Sequence, residues 1–138
     1  MNKKNKFLKR FYHLIVPAFV LVAGLAFAGS AYAEGDAELG AKVFKKCKTC
    51  HMVGDGAKSR QGPMLNDIID RAAGVIEGFR YSKALQAKAA EGLIWTEDNL
   101  SEYLKAPRKF IPRGKMAFVG LKKPADIENV IAYLNTFE

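Results

Sequence analysis

The sequence predicts an all-α domain of about five short helices joined by long loops. Three observations predict it. Apolar residues recur at helical spacing in several short segments, each bracketed by capping residues or by Gly and Pro. No stretch alternates apolar and polar residues as a half-buried strand does. The two longest connections, residues 52–65 and 106–123, are rich in Gly and Pro. Loops of that length in a small domain usually carry function or wrap around something.

The elements follow in order. Asp36 is placed to N-cap a first helix, with Leu39, Val43, Phe44 and Cys47 at helical spacing, so that the helix delivers Cys47 at its C-terminal end. Leu65, Ile68 and Ile69 suggest one helical turn before Arg71. Ser82 caps a segment running to Glu91, with Gly92 at the C′ position. Thr96 caps another, with Glu97 and Asp98 favourably placed against the dipole and Leu100, Tyr103 and Leu104 on one face; it ends before Pro107. Pro124 suits a helix N1 position, and Ile127, Val130, Ile131 and Leu134 form an i, i+3, i+4, i+7 stripe.

Residues 1–33 differ in composition from the rest. Lys3, Lys4, Lys6, Lys9 and Arg10 precede an apolar run from Leu14 to Ala28, and Ala31-Tyr32-Ala33 is an A-x-A cleavage signature. This reads as an export signal cleaved after Ala33, leaving residues 34–138 as one domain and placing it in the periplasm. The apolar run is shorter than the ~20 residues a membrane span needs, and tethering through an uncleaved signal is the alternative. The whole chain has 22 Lys+Arg, 14 Asp+Glu and a net charge of +8. Five of those bases and none of the acids lie in residues 1–33, so 17 bases face 14 acids in the domain, a charge of +3. With bases and acids so nearly matched and no stripe of basic and aromatic residues, nucleic-acid binding is not supported.

The chemistry lies in Cys47-Lys48-Thr49-Cys50-His51. Two thiols at this spacing, followed by an imidazole, can bond the vinyl groups of one haem and ligate its iron. A zinc site normally takes four Cys or His ligands. Cys47 and Cys50 are the only cysteines, and the one other histidine, His13, lies in the export segment, so only three adjacent ligands remain. A thioredoxin-type dithiol and a structural disulfide are the other rivals, but thioredoxin-type motifs sit near a βαβ pattern, which is not evident here. Haem c, one per chain through two thioethers, is the reading the census favours. A low-spin iron needs a second ligand opposite His51. Met52 is too close in sequence to cross to the other face, which leaves Met64, Met116 and the lysines. Met116 lies in the flexible Ile111-Pro112-Arg113-Gly114-Lys115-Met116-Ala117-Phe118 loop, where Met/His ligation would raise the reduction potential. Ordinary core filling is the competing role for such a methionine.

Several further segments stand in a telling order: Gly62-Pro63-Met64-Leu65, Gly78-Phe79-Arg80-Tyr81-Ser82, Leu93-Ile94-Trp95, Tyr103-Leu104 with Pro107, the loop around Met116 continuing to Lys122-Lys123, and Ile131-Ala132-Tyr133-Leu134. With the cysteine motif they make residues 36–134 resemble the class I c-type cytochromes, the group of the soluble bacterial c2 and mitochondrial proteins. The resemblance implies the small cytochrome c fold, wrapped around one covalent haem c. It implies that Cys47 and Cys50 anchor the haem and that His51 and Met116 are the axial pair. Pro63 then accepts the second ring N–H of His51, while Trp95, Tyr81 and Arg71 hold the haem propionates and Tyr103 lies near the methionine sulfur. Gly40 lets the terminal helices cross closely. The chain departs from the commoner pattern at Met64, at Asp70 where Gly usually precedes the arginine, and at Arg113-Gly114 in place of Gly-Thr. Asp70 offers the Arg71 guanidinium a competing carboxylate.

The function so implied is a soluble one-electron carrier rather than an enzyme, cycling Fe(III) and Fe(II) between a donor complex or dehydrogenase and an oxidase or other acceptor. Lys45, Lys48, Lys109, Lys115, Lys122 and Lys123 flank the segments expected around the haem edge and would steer acidic redox partners to a monomer. A haem peroxidase or gas sensor is the alternative, and it would need an open iron position.

Overall fold

The computed structural model describes residues 35–138, so the export segment and its cleavage after Ala33 lie outside the described residues. The helices are α1 (Ala37–Phe44), α2 (Lys83–Ala90), α3 (Glu97–Lys105), α4 (Pro107–Phe110) and α5 (Pro124–Asn135). Among the described residues the only β-type pairing is an isolated antiparallel bridge between Ala72 and Ile94, so the all-α expectation holds. None of these helices is long and apolar enough to cross a membrane.

Local chemistry explains the boundaries. The side chains of Asp36, Ser82 and Thr96 accept from the backbone N–H three residues on, at 3.0, 3.1 and 3.2 Å, as N-caps do. Gly92, past the end of α2, has φ +86°. Pro124 opens α5 where its missing N–H costs nothing. Three expectations need correction. Leu39 is 43% exposed, because Gly40, Val43 and Phe44 form the buried face of α1. Residues 65–69 turn without forming a helix, since Asp67 at φ +52° breaks the right-handed path. Pro107 ends α3 but also starts α4 at its N1 position, so the 106–123 connection is helical at its beginning.

Helices α1 and α5 pack closely at Gly40, where any Cβ would overlap the Asn129 carbonyl and the Cβ of Tyr133. The Asn129 side chain accepts from Asp36 N–H at 2.8 Å, and the rings of Phe44 and Tyr133 lie 5.3 Å apart. Phe44, Ile111 and Val130 are fully buried, joined in the core by Trp95, Leu100, Leu104, Ile127, Ile131 and Leu134. Beyond Phe44 the chain continues in tight turns, with Lys48 N–H bonded to Phe44 O at 3.1 Å and His51 N–H to Cys47 O at 2.9 Å. The cysteine motif therefore sits on turns that prolong α1, pointing into the core.

Candidate functional site

A cavity of about 290 Å³ opens inside this core. The turns after α1 bring Cys47, Cys50 and His51 to it, the 62–72 segment brings Pro63 and Arg71, and Tyr81 comes from the approach to α2. Trp95 precedes α3, Tyr103 lies on it, and Met116 comes from the loop after α4. All nine residues singled out from sequence thus line one cavity, whereas Met52 and Met64 do not line it. Phe44, Ile68, Leu100, Ile111 and Val130 supply apolar walls.

His51 is held by an unusually close environment. Its Nδ1 lies 2.7 Å from the Pro63 carbonyl oxygen, which can only accept, so Nδ1 carries the proton and Nε2 keeps its lone pair. Gly62 packs on the imidazole so tightly that a Cβ there would overlap the ring. Burial pushes the His51 pKa below its ordinary value, with the Pro63 bond acting the other way, so the ring is neutral as a metal ligand must be.

The Cys47 thiol is not tuned as the nucleophile of a redox dithiol is. Burial raises the Cys47 pKa, Lys46 opposes the shift, and Cys50 adds to it. A thioredoxin-type nucleophile needs the opposite shift. Cys50 Sγ lies 3.4 Å from Gln61 Oε1. Among the described residues no group of three or more His, Cys, Asp or Glu side chains is placed to hold a metal ion.

Arg71 is fixed by main chain rather than by Asp70. Its Nη1 donates to Asn66 O at 2.6 Å and its Nη2 to Met64 O at 3.2 Å, and among the described residues it forms no ion pair. Asp70 itself adopts φ +54°, the conformation that favours the glycine of the commoner pattern. Burial lowers the Arg71 pKa, while Tyr81 and Asp67 push it upward. The Tyr81 hydroxyl accepts from Ile76 N–H at 3.3 Å. Trp95 is 7% exposed, with its ring 5.0 Å from that of Tyr103. Burial pushes the Tyr103 phenol up to about 12.

Sequence reasoning missed three contributors. Gln61 reaches Cys50, Asn66 both accepts from Gly54 N–H at 3.0 Å and donates to Gly54 O at 3.1 Å, and Lys46 lines the cavity while pairing with Asp126 at 3.5 Å. Each acts through a contact at least 11 residues away, which leaves no local pattern to read. Lys45, Lys48, Lys109, Lys115, Lys122 and Lys123 are all exposed, and Lys115 also lines the cavity.

The residues fit a haem. Two thiols, an imidazole and a thioether line one largely apolar cavity, with guanidinium, phenol and indole groups in the same lining available for carboxylates. The Cytochrome c family profile matches residues 37–138. The chain is 52% identical over 99 residues to cytochrome c2 of Afifella marina, covering 72% of this chain and 80% of that protein. It is 48% identical over 101 residues to cytochrome c2 of Agrobacterium tumefaciens, covering 73% and 91%. The solved structure of cytochrome c2 from Rhodospirillum centenum superposes with a TM-score of 0.71 at 38% identity, covering 75% of this chain and 98% of that one. This chain belongs to the cytochrome c family: it is an electron-transfer protein whose Cys47-Lys48-Thr49-Cys50-His51 motif carries one covalent haem c.

Proposed function

We propose that the protein is a soluble periplasmic one-electron carrier with His51 and Met116 as axial ligands. The haem supplies a one-electron Fe(III)/Fe(II) couple. Cys47 and Cys50 would anchor it, Pro63 orients His51, Arg71, Tyr81 and Trp95 would hold its propionates, and Tyr103 would stand near the Met116 sulfur. With protein ligands filling both iron positions no site would remain for a substrate, so the work would be outer-sphere exchange with a partner. The exposed lysines Lys45, Lys48, Lys109, Lys115, Lys122 and Lys123 steer acidic redox proteins, with a rate that falls as salt rises. Export of residues 34–138 after cleavage at Ala33 delivers the domain to the donor complex or dehydrogenase and the acceptor it connects.

The observation that carries this reading is the presence of Met116, and not Met52 or Met64, in the cavity that holds His51. Met116→Ala tests it. The variant should keep its covalent haem, lose reduction potential by on the order of 0.2 V within the about 0.8 V that axial ligation spans, and bind carbon monoxide promptly when reduced. An unchanged potential would transfer the role to Met64 or a lysine.

A further inference from the structure

The loop that carries Met116 is tied to the rest of the molecule at one polar point. Among the described residues, no backbone N–H or C=O of residues 115–120 hydrogen-bonds to another segment. Lys115 supplies the tie instead. Its Nζ donates to Arg80 O at 3.0 Å and lies 3.5 Å from Tyr81 O, and it is in none of the ion pairs among the described residues. The receiving side is well held: the Phe79 and Tyr81 rings meet edge to face at 4.7 Å, the Tyr81 hydroxyl accepts from Ile76 N–H, and Ser82 caps α2. Phe118 packs against the core, but Val119 is 82% exposed, so apolar burial restrains only part of the loop. Two residues before Lys115, Arg113 adopts φ +65°, which disfavours any side chain.

We infer that Lys115 is a positioning residue that latches the Met116 loop to the Arg80–Tyr81 main chain, and that Arg113 works against it. Together they set the fraction of molecules in which the loop swings away and a small external ligand reaches the iron. This rests on the assignment of Met116 as the axial ligand. Apparent affinity for such a ligand scales with the population of the open loop. Removing the ammonium should raise that population, and relieving the backbone at 113 should lower it.

The test uses the ferric holoprotein titrated with imidazole and followed by its absorption spectrum. Lys115→Met, which keeps the chain length but lacks the donor, should bind imidazole about threefold to tenfold more tightly, the size of one exposed charge-assisted hydrogen bond. Lys115→Arg, which restores a cationic donor, should stay within about twofold of the native protein. Arg113→Gly should bind imidazole about threefold to tenfold more weakly. Native affinity in Lys115→Met overturns the latch. Met116→Ala separates the two claims: an imidazole affinity equal to that of the native protein sinks the ligand assignment instead. Backbone NMR order parameters of residues 116–120 then decide the latch by themselves, lower values in Lys115→Met supporting it and unchanged values overturning it.

Discussion

The phenol of Tyr103 lies inside the cavity, and burial holds its proton up to about 12. In the unfolded chain tyrosine ionises near its model value of 10.0. The folded pKa is the higher one, so Tyr103 contributes its full stability below pH 10 and loses it as pH climbs toward 12. Tyr103→Phe removes that loss. Urea midpoints measured from neutral pH to pH 12 should diverge from those of the native protein, by on the order of 2 kcal/mol at the alkaline end; parallel curves would refute the assignment. Single residues were legible in sequence where their chemistry is distinctive: two thiols, one histidine after the export segment, one tryptophan. They were illegible where a side chain answers a distant carbonyl. Arg71 beside Asp70 reads as an ion pair in waiting, yet its guanidinium goes to the Asn66 and Met64 carbonyls, because the left-handed turns at Asp67 and Asp70 fold the main chain back toward it.

Helix boundaries were readable wherever a cap or a proline imposes them, as at Ser82, Thr96 and Pro124. The failures share a cause: a proline that stops one helix can start the next, as at Pro107, and an apolar cluster such as residues 65–69 has helical spacing whatever the backbone does at Asp67. The contact between α1 and α5 depends on the absence of a side chain at Gly40. Gly40→Ala gains helix propensity, worth about 1 kcal/mol, but forces the helices apart, and overpacking of this kind typically costs about 1–3 kcal/mol and occasionally more. Backbone stands on the far side of this contact and cannot rotate away, so the cost falls at the upper end of that range, about 3 kcal/mol, and the net should be destabilising by about 2 kcal/mol. A thermal melt should show a midpoint roughly 10 °C lower; a native midpoint would mean the helices can part freely.

The core of the domain is also its cofactor site, so the haem should contribute to folding as core side chains do. The cavity of about 290 Å³ lies among the core side chains themselves, so a bound haem would supply much of the apolar surface they pack against in a domain too small to be stable without it. The haem-free double variant Cys47→Ser/Cys50→Ser should therefore lose most of its helical circular dichroism and its cooperative melt; a sharp transition near that of the holoprotein would contradict the link. The overall fold was legible because capped helical segments, long loops and a haem motif all demand one arrangement. The shape of the cavity was not, since it depends on segments that meet only in three dimensions. The contact of α1 with α5 has a consequence in time as well as space. Asp36 waits for Asn129, 93 residues further along the chain, before its N–H is capped and α1 gains its packing partner. Contacts so distant close late. While α5 is still undocked, Cys47 and Cys50 stand on an open chain, so a haem can meet both half-exposed thiols before the core closes over it.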